Sequence, residues 1–143
     1  MNTALVSSII STVKDLSNLD TAFDKRSSAI RRYIGTIWDL IVPDRTKCSD
    51  DWYSNLQRHA EDMVLAYDHC IDAQRLEAMA ERGRFASLFP TEDTDALLQQ
   101  LNLRESQSFR AAQRSEHNLS RLLHEILDCG GDASKVEQAT AST

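Results

Sequence analysis

Helix breakers are scarce in this chain. Four glycines and two prolines are spread over 143 residues, too few for a sheet with many tight turns but well suited to long helices. Long apolar runs are missing too. No stretch reaches 18 apolar residues, so no transmembrane helix of the usual kind is expected. The opening Met1-Asn-Thr-Ala-Leu-Val-Ser-Ser-Ile-Ile10 has no basic start, and Ser7 and Ser8 interrupt its apolar run. It does not read as a secretory signal. Cysteine is limited to Cys48, Cys70 and Cys129, an odd and widely spaced set with no C-x-x-C. That pattern reads as reduced thiols in an intracellular, cytoplasmic protein.

What is present has globular proportions. Hydrophobic content is 41% and charged content 27%, too apolar for a disordered chain and too polar for a membrane protein. The length suits one domain. The net charge of −6 is uneven: residues 1–49 hold seven Lys/Arg against five Asp/Glu, residues 50–82 three against eight, and residues 83–143 six against nine. An acidic chain is a poor partner for nucleic acid, whose binding depends on neutralised phosphates.

Hydrophobic spacing predicts four amphipathic helices. The first runs from Thr3 to Leu16 on Leu5, Ile9, Thr12, Val13 and Leu16, with Val6 and Ile10 alongside. The second, from about Asp20 to Val42, has Phe23, Ser27, Ile30, Ile34, Ile37 or Trp38, and Ile41 as its stripe. Lys25, Arg26, Arg31 and Arg32 lie mostly off that stripe. Asp20 is the expected cap, and Pro43 the stop. The third starts at Ser49 or Asp50, with Trp52, Leu56, Ala60, Met63, Tyr67, Cys70 and Gln74 as its seam and Gly83 as its end. A short apolar connector, residues 84–90, then plugs one end of the bundle with Phe85, Leu88 and Phe89. The fourth, about Thr94 to Asp128, places Leu98, Leu101, Glu105, Phe109, Ala112, Glu116, Leu119, Leu123 and Ile126 on its seam. Short loops make sequential helices antiparallel. The reading is an all-α antiparallel four-helix bundle over residues 1–128, with a flexible tail or linker over 129–143.

Catalytic and metal-binding patterns are absent. His117 and His124 stand seven apart, and His69 and Cys70 are adjacent, so neither pair has zinc-ligand spacing. No G-x-G-x-x-G, P-loop or H-E-x-x-H occurs. Cys70 with His124 is the one conceivable nucleophile pair, and nothing flanking it supplies an orienting acid. The acid pairs Asp50-Asp51 and Glu92-Asp93 stand near helix starts, where the dipole favours them. No catalytic residue, cofactor or metal is expected, and the chain reads as a non-enzyme.

Two surfaces remain as candidates. The apolar first helix (Leu5, Val6, Ile9, Ile10, Val13) with the cations Lys25, Arg26, Arg31 and Arg32 is a candidate membrane-contacting set, each cation near an anionic surface being worth about 1 kcal/mol. The acids Glu61, Asp62, Asp68 and Asp72 of the third helix are the candidate partner-binding set.

The layout also resembles a family. The opening Ala4-Leu-Val-Ser-Ser-Ile-Ile-Ser-Thr-Val13, the helix pair holding Phe23 to Arg26 and Ile30 to Tyr33 and ending at Leu40-Ile-Val-Pro43, the long helix closing through Leu76-Glu77 and Arg84-Phe-Ala-Ser-Leu-Phe89, and the last helix opening Asp95-Ala-Leu-Leu-Gln-Gln-Leu-Asn102 are similar to the N-terminal bundles of cell-death executioners. These include mixed-lineage kinase domain-like protein, the fungal HeLo and HeLo-like domains, and plant resistance-protein bundles. The resemblance spans residues 3 to 128. It implies signalling in innate immunity or programmed cell death by self-association and contact with anionic lipids, with recruitment to the plasma membrane. A related reading is an adaptor or oligomerisation module that binds a protein partner without a membrane step.

Overall fold

The computed structural model describes residues 3–42, 50–85 and 91–129. Nearly all of them lie in four helices: α1 (Thr3–Ser17), α2 (Phe23–Ile41), α3 (Asp50–Phe85) and α4 (Thr91–Asp128). No strand occurs among the described residues. The described residues are all-α and form four helices, as the spacing predicts.

Local chemistry explains several helix ends. Val42, which precedes Pro43, leaves the helical region at φ −119° and ψ 77°, because the proline ring crowds a helical predecessor. α2 begins at Phe23 rather than near Asp20. Its N-cap is Ala22, in an extended conformation with no side-chain cap. α3 runs through Gly83 to Phe85, so that glycine does not stop it; a glycine in a final turn costs only backbone entropy. α4 starts three residues earlier than expected, at Thr91, and Thr94 is buried in its first turn. The connector residues 86–90, the side chains of Arg84 and Phe85, and the tail from residue 130 onward lie outside the described residues.

Contacts fix the order of the helices. Along α2, Arg26, Arg31 and Trp38 meet Asp68, Glu61 and Tyr53 of α3. Numbers rise on one helix as they fall on the other, the sense of two oppositely directed neighbours. On α4, Glu116 acts on Tyr67 and Glu105 on Cys70, again in reversed order. α3 and α4 form the most extensive interface, and α1 packs against all three other helices.

The hydrophobic core unites Leu5, Val6, Ile9, Ile10 and Val13 of α1 with Ile30, Ile34, Ile37, Trp38 and Ile41 of α2. It continues into α3 only from Leu56 to Tyr67, and into α4 only from Ala112 to Leu127. The reason is length. α3 has 36 residues and α2 has 19. At 1.5 Å per residue, α3 outlasts its neighbour by roughly 25 Å. Past Cys70, the α3–α4 pair therefore projects as a two-helix arm beyond a four-helix body.

The arm corrects two expected seam positions. Gln74 is exposed, and the buried row of α3 continues through Cys70, Ala73 and Ala80 instead. Phe109 is exposed as well, while Ser108 is half-buried and Ala112 fully buried. A seven-residue row drifts about 20° per heptad around a straight helix. Beyond Tyr67 only one neighbour remains to be faced, so the buried row narrows and turns toward it.

Candidate interaction surfaces

The candidate membrane set is divided by the fold. Leu5, Val6, Ile9, Ile10 and Val13 are all buried in the body's core, and a bilayer reaches them only if α1 leaves the bundle. Phe23 and Arg26 exchange the places expected of them. Phe23 is exposed, whereas Arg26 is only 4% exposed. The Arg26 guanidinium donates from Nη1 to the Ser17 carbonyl oxygen at 3.0 Å and from Nη2 to Asp68 Oδ1. It also lies 6.0 Å from the Phe23 ring centroid. Its Nε–H is buried without a partner. A charge this enclosed is tolerated when paired, and removing its partner costs about 3–5 kcal/mol. Arg26 thus ties the last turn of α1 to α2 and α3. Ser17, itself buried, donates its hydroxyl to the Val13 carbonyl at 2.7 Å.

Arg31 pairs with Glu61 on the surface, an interaction worth at most about 1 kcal/mol in water. Lys25 and Arg32 stand seven residues apart on one exposed face of α2. With Arg31, which is exposed but paired to Glu61, they make three of the four cations of the set that lie at the surface.

The acidic set serves the bundle more than its surroundings. Asp68 is engaged by Arg26, Glu61 by Arg31, and Asp72 by Arg104 of α4 at 3.5 Å. Asp62 is exposed on the rim of an open groove of about 470 Å³ between α3 and α4, near Leu65, His69, Ser108 and Ala111. A second groove, about 590 Å³, separates α1 from α4 and is lined mostly by polar side chains, Ser7, Ser11, Lys14, Gln113, Glu116 and His117 among them.

The surroundings of Cys70 disfavour its thiolate. Burial raises its thiol pKa, and the nearby Glu105 and Glu77 raise it further, whereas a reactive cysteine needs a positive environment. His124 lies nineteen residues beyond Glu105 on α4, roughly 28 Å along the axis, so the Cys70–His124 pair does not form. His59 titrates below its usual value because it is partly buried and stands beside Arg58. Among the described residues no three His, Cys, Asp or Glu side chains converge as metal ligands, and no helix is long and apolar enough to cross a membrane.

Sequence reasoning missed the surface of the arm. Leu76 and Met79 on α3 and Leu97 and Leu103 on α4 are large apolar side chains left to solvent, Met79 at 59% and Leu103 at 60% exposure. The signal available was length. Two long helices beside two short ones must leave part of the longer pair uncovered. Comparison with protein-family models, characterised proteins and solved structures returns no match for this chain.

Proposed function

We propose that this chain is a non-enzymatic interaction module that signals by self-association through its projecting α3–α4 arm. One observation carries the reading: Leu76, Met79, Leu97 and Leu103 are exposed together on an arm that the other two helices do not cover. Four of the eight large apolar side chains exposed among the described residues lie on this arm, and exposed apolar groups gathered on one surface mark contacts more often than isolated ones do. The mixed charges of the arm, Asp72 with Arg104 among them, supply the polar rim such an interface needs.

A second reading follows the resemblance to cell-death bundles, in which α1 and nearby cations engage acidic lipid at the plasma membrane. The exposed pair Lys25 and Arg32 favours it; the burial of the α1 apolar face means that α1 must first detach.

One preparation tests both. Sedimentation over a range of concentrations reports self-association, and flotation with vesicles rich in phosphatidylserine reports lipid binding. Self-association that disappears in Leu76→Glu/Leu103→Glu, with helicity retained, supports the arm. A monomer at every concentration defeats it. Vesicle binding lost in Lys25→Glu/Arg32→Glu would move the assignment to the membrane reading.

A further inference from the structure

At the root of the arm, two acids occupy places where the α3–α4 seam would ordinarily hold apolar side chains. Following the buried row of α3 from Cys70 and Ala73, the inward positions are Glu77 and Ala80. On α4, Glu105 sits between buried Leu101 and Ala112. Both glutamates are half-buried. Glu77 Oε1 is enclosed without a hydrogen-bond partner. Glu105 faces Glu77 across the seam and accepts a hydrogen bond from Gln74 Nε2 at 3.1 Å.

Among the described residues, the charges acting on Glu77 are negative: Glu105 from α4 and Glu81 one turn further along α3. The Cys70 thiol lies in the field of both Glu77 and Glu105. Neither α1 nor α2 supplies a charge that acts on Glu77, and nearby Arg104 is engaged by Asp72. Two facing carboxylates without a cation repel when both are ionised. A single proton shared between them turns repulsion into a charge-assisted hydrogen bond.

We propose that Glu77 and Glu105 form a proton-operated clasp on the arm: with one proton between them the α3–α4 seam is closed, and with both ionised it loosens from Glu77 toward the tip. Among the described residues, the buried side chains beyond Glu77 are Ala80, Leu101 and Thr94, and sparse apolar burial makes local opening inexpensive. Burial pushes the Glu77 carboxyl above its usual value of 4.5, and the facing Glu105 adds to that rise. A raised pKa in the closed arm means that the closed form binds the proton more tightly than the open form. The stabilisation is complete below the ordinary glutamate value and is lost as pH rises through the raised one. The clasp therefore closes in acid and relaxes toward neutrality.

Amide hydrogen exchange of the full chain at about pH 5 and about pH 7.5, corrected for intrinsic rates, tests the clasp. Protection over residues 73–85 and 94–105 should fall at the higher pH, roughly tenfold for each unit by which the carboxyl is raised. Protection over residues 56–67 and 112–127 should hold. Glu77→Gln replaces the shared proton with an amide donor, and should keep the arm protected at both pH values. Glu105→Gln should do the same, which covers the case in which the first variant disturbs folding. Equal arm protection in the wild type at both pH values, or a pH dependence that survives in both glutamine variants, would overturn the proposal.

Discussion

The body and the arm are built from the same two helices, yet they hold different kinds of side chain. Where α1 and α2 cover them, α3 and α4 bury Leu56, Met63, Val64, Leu119, Leu123 and Ile126. Beyond the reach of α1 and α2, their described residues bury Ala73, Ala80, Leu101 and Thr94, place two glutamates on the seam, and leave Leu76, Met79, Leu97 and Leu103 outside. A helix with three neighbours must fill a wide face with large apolar groups. A helix with one neighbour approaches it along a narrow row, for which small side chains are suited. The number of neighbours, more than the sequence of either helix taken alone, separates the densely packed body from the sparsely packed arm.

Substitutions can break or sharpen that contrast. The largest effect is expected from Leu123→Ala, which empties a fully buried site of the body and should cost about 2–5 kcal/mol in denaturant unfolding. Leu101→Ala in the arm should fall at or below the lower end of that range, about 2 kcal/mol, because a two-helix seam can close over the gap. Equal losses at the two sites would erase the distinction between body and arm.

Next in size is Asp68→Ala. Asp68 is itself 38% exposed in its side chain, but it balances the enclosed Arg26. Its loss should cost about 3 kcal/mol and raise hydrogen exchange first in the last turn of α1. The double variant Arg26→Met/Asp68→Leu should recover most of the loss, because the uncompensated charge leaves with its partner. A double variant as unstable as the single one would show that Asp68 matters for reasons other than Arg26.

The smallest expected effect is a gain. A methyl group at Gly35 would lie 3.4 Å from the Tyr53 hydroxyl, in ordinary contact, so Gly35→Ala should raise thermal stability by about 0.5–1 kcal/mol through helix propensity. A loss would mean that the Trp38–Tyr53 ring pair, 5.3 Å between centroids, tolerates no added atom beside it.

Much of the fold was legible in the spacing of apolar residues. The apolar row of α1, from Leu5 to Val13, and the row of α2 from Ile30 to Ile41 fall inside as their periodicity requires. The errors cluster where a charged or aromatic residue shares a face with aliphatic ones. Phe23 looked like core and Arg26 like surface, yet the fold reverses them. A guanidinium can be buried only where an acid and a carbonyl converge on it, and those partners, Asp68 and the Ser17 oxygen, come from two other helices. Phe109 and Gln74 were misplaced for a related reason: a heptad row continues in a straight line only while the same neighbours continue beside it.

The candidate site was less legible. The acids Glu61, Asp68 and Asp72 form a plain negative stripe when α3 is read alone, but in three dimensions each meets an arginine from α2 or α4. Glu77 and Glu105 are twenty-eight residues apart in the chain, and no local pattern announces that they meet.

By itself the sequence determined the helical class, the number of helices and most inward-facing residues of the body, because periodicity and the placement of Pro43 act within one or two turns. Tertiary structure decided the rest. It decided that α1 lies with its apolar face covered, that Arg26 is a buried tie, that α1 and α2 stop short of the arm and that two glutamates face each other on its seam. These depend on which helices are neighbours and where each one ends. That information is carried by relative lengths and long-range packing, not by any single stretch of residues.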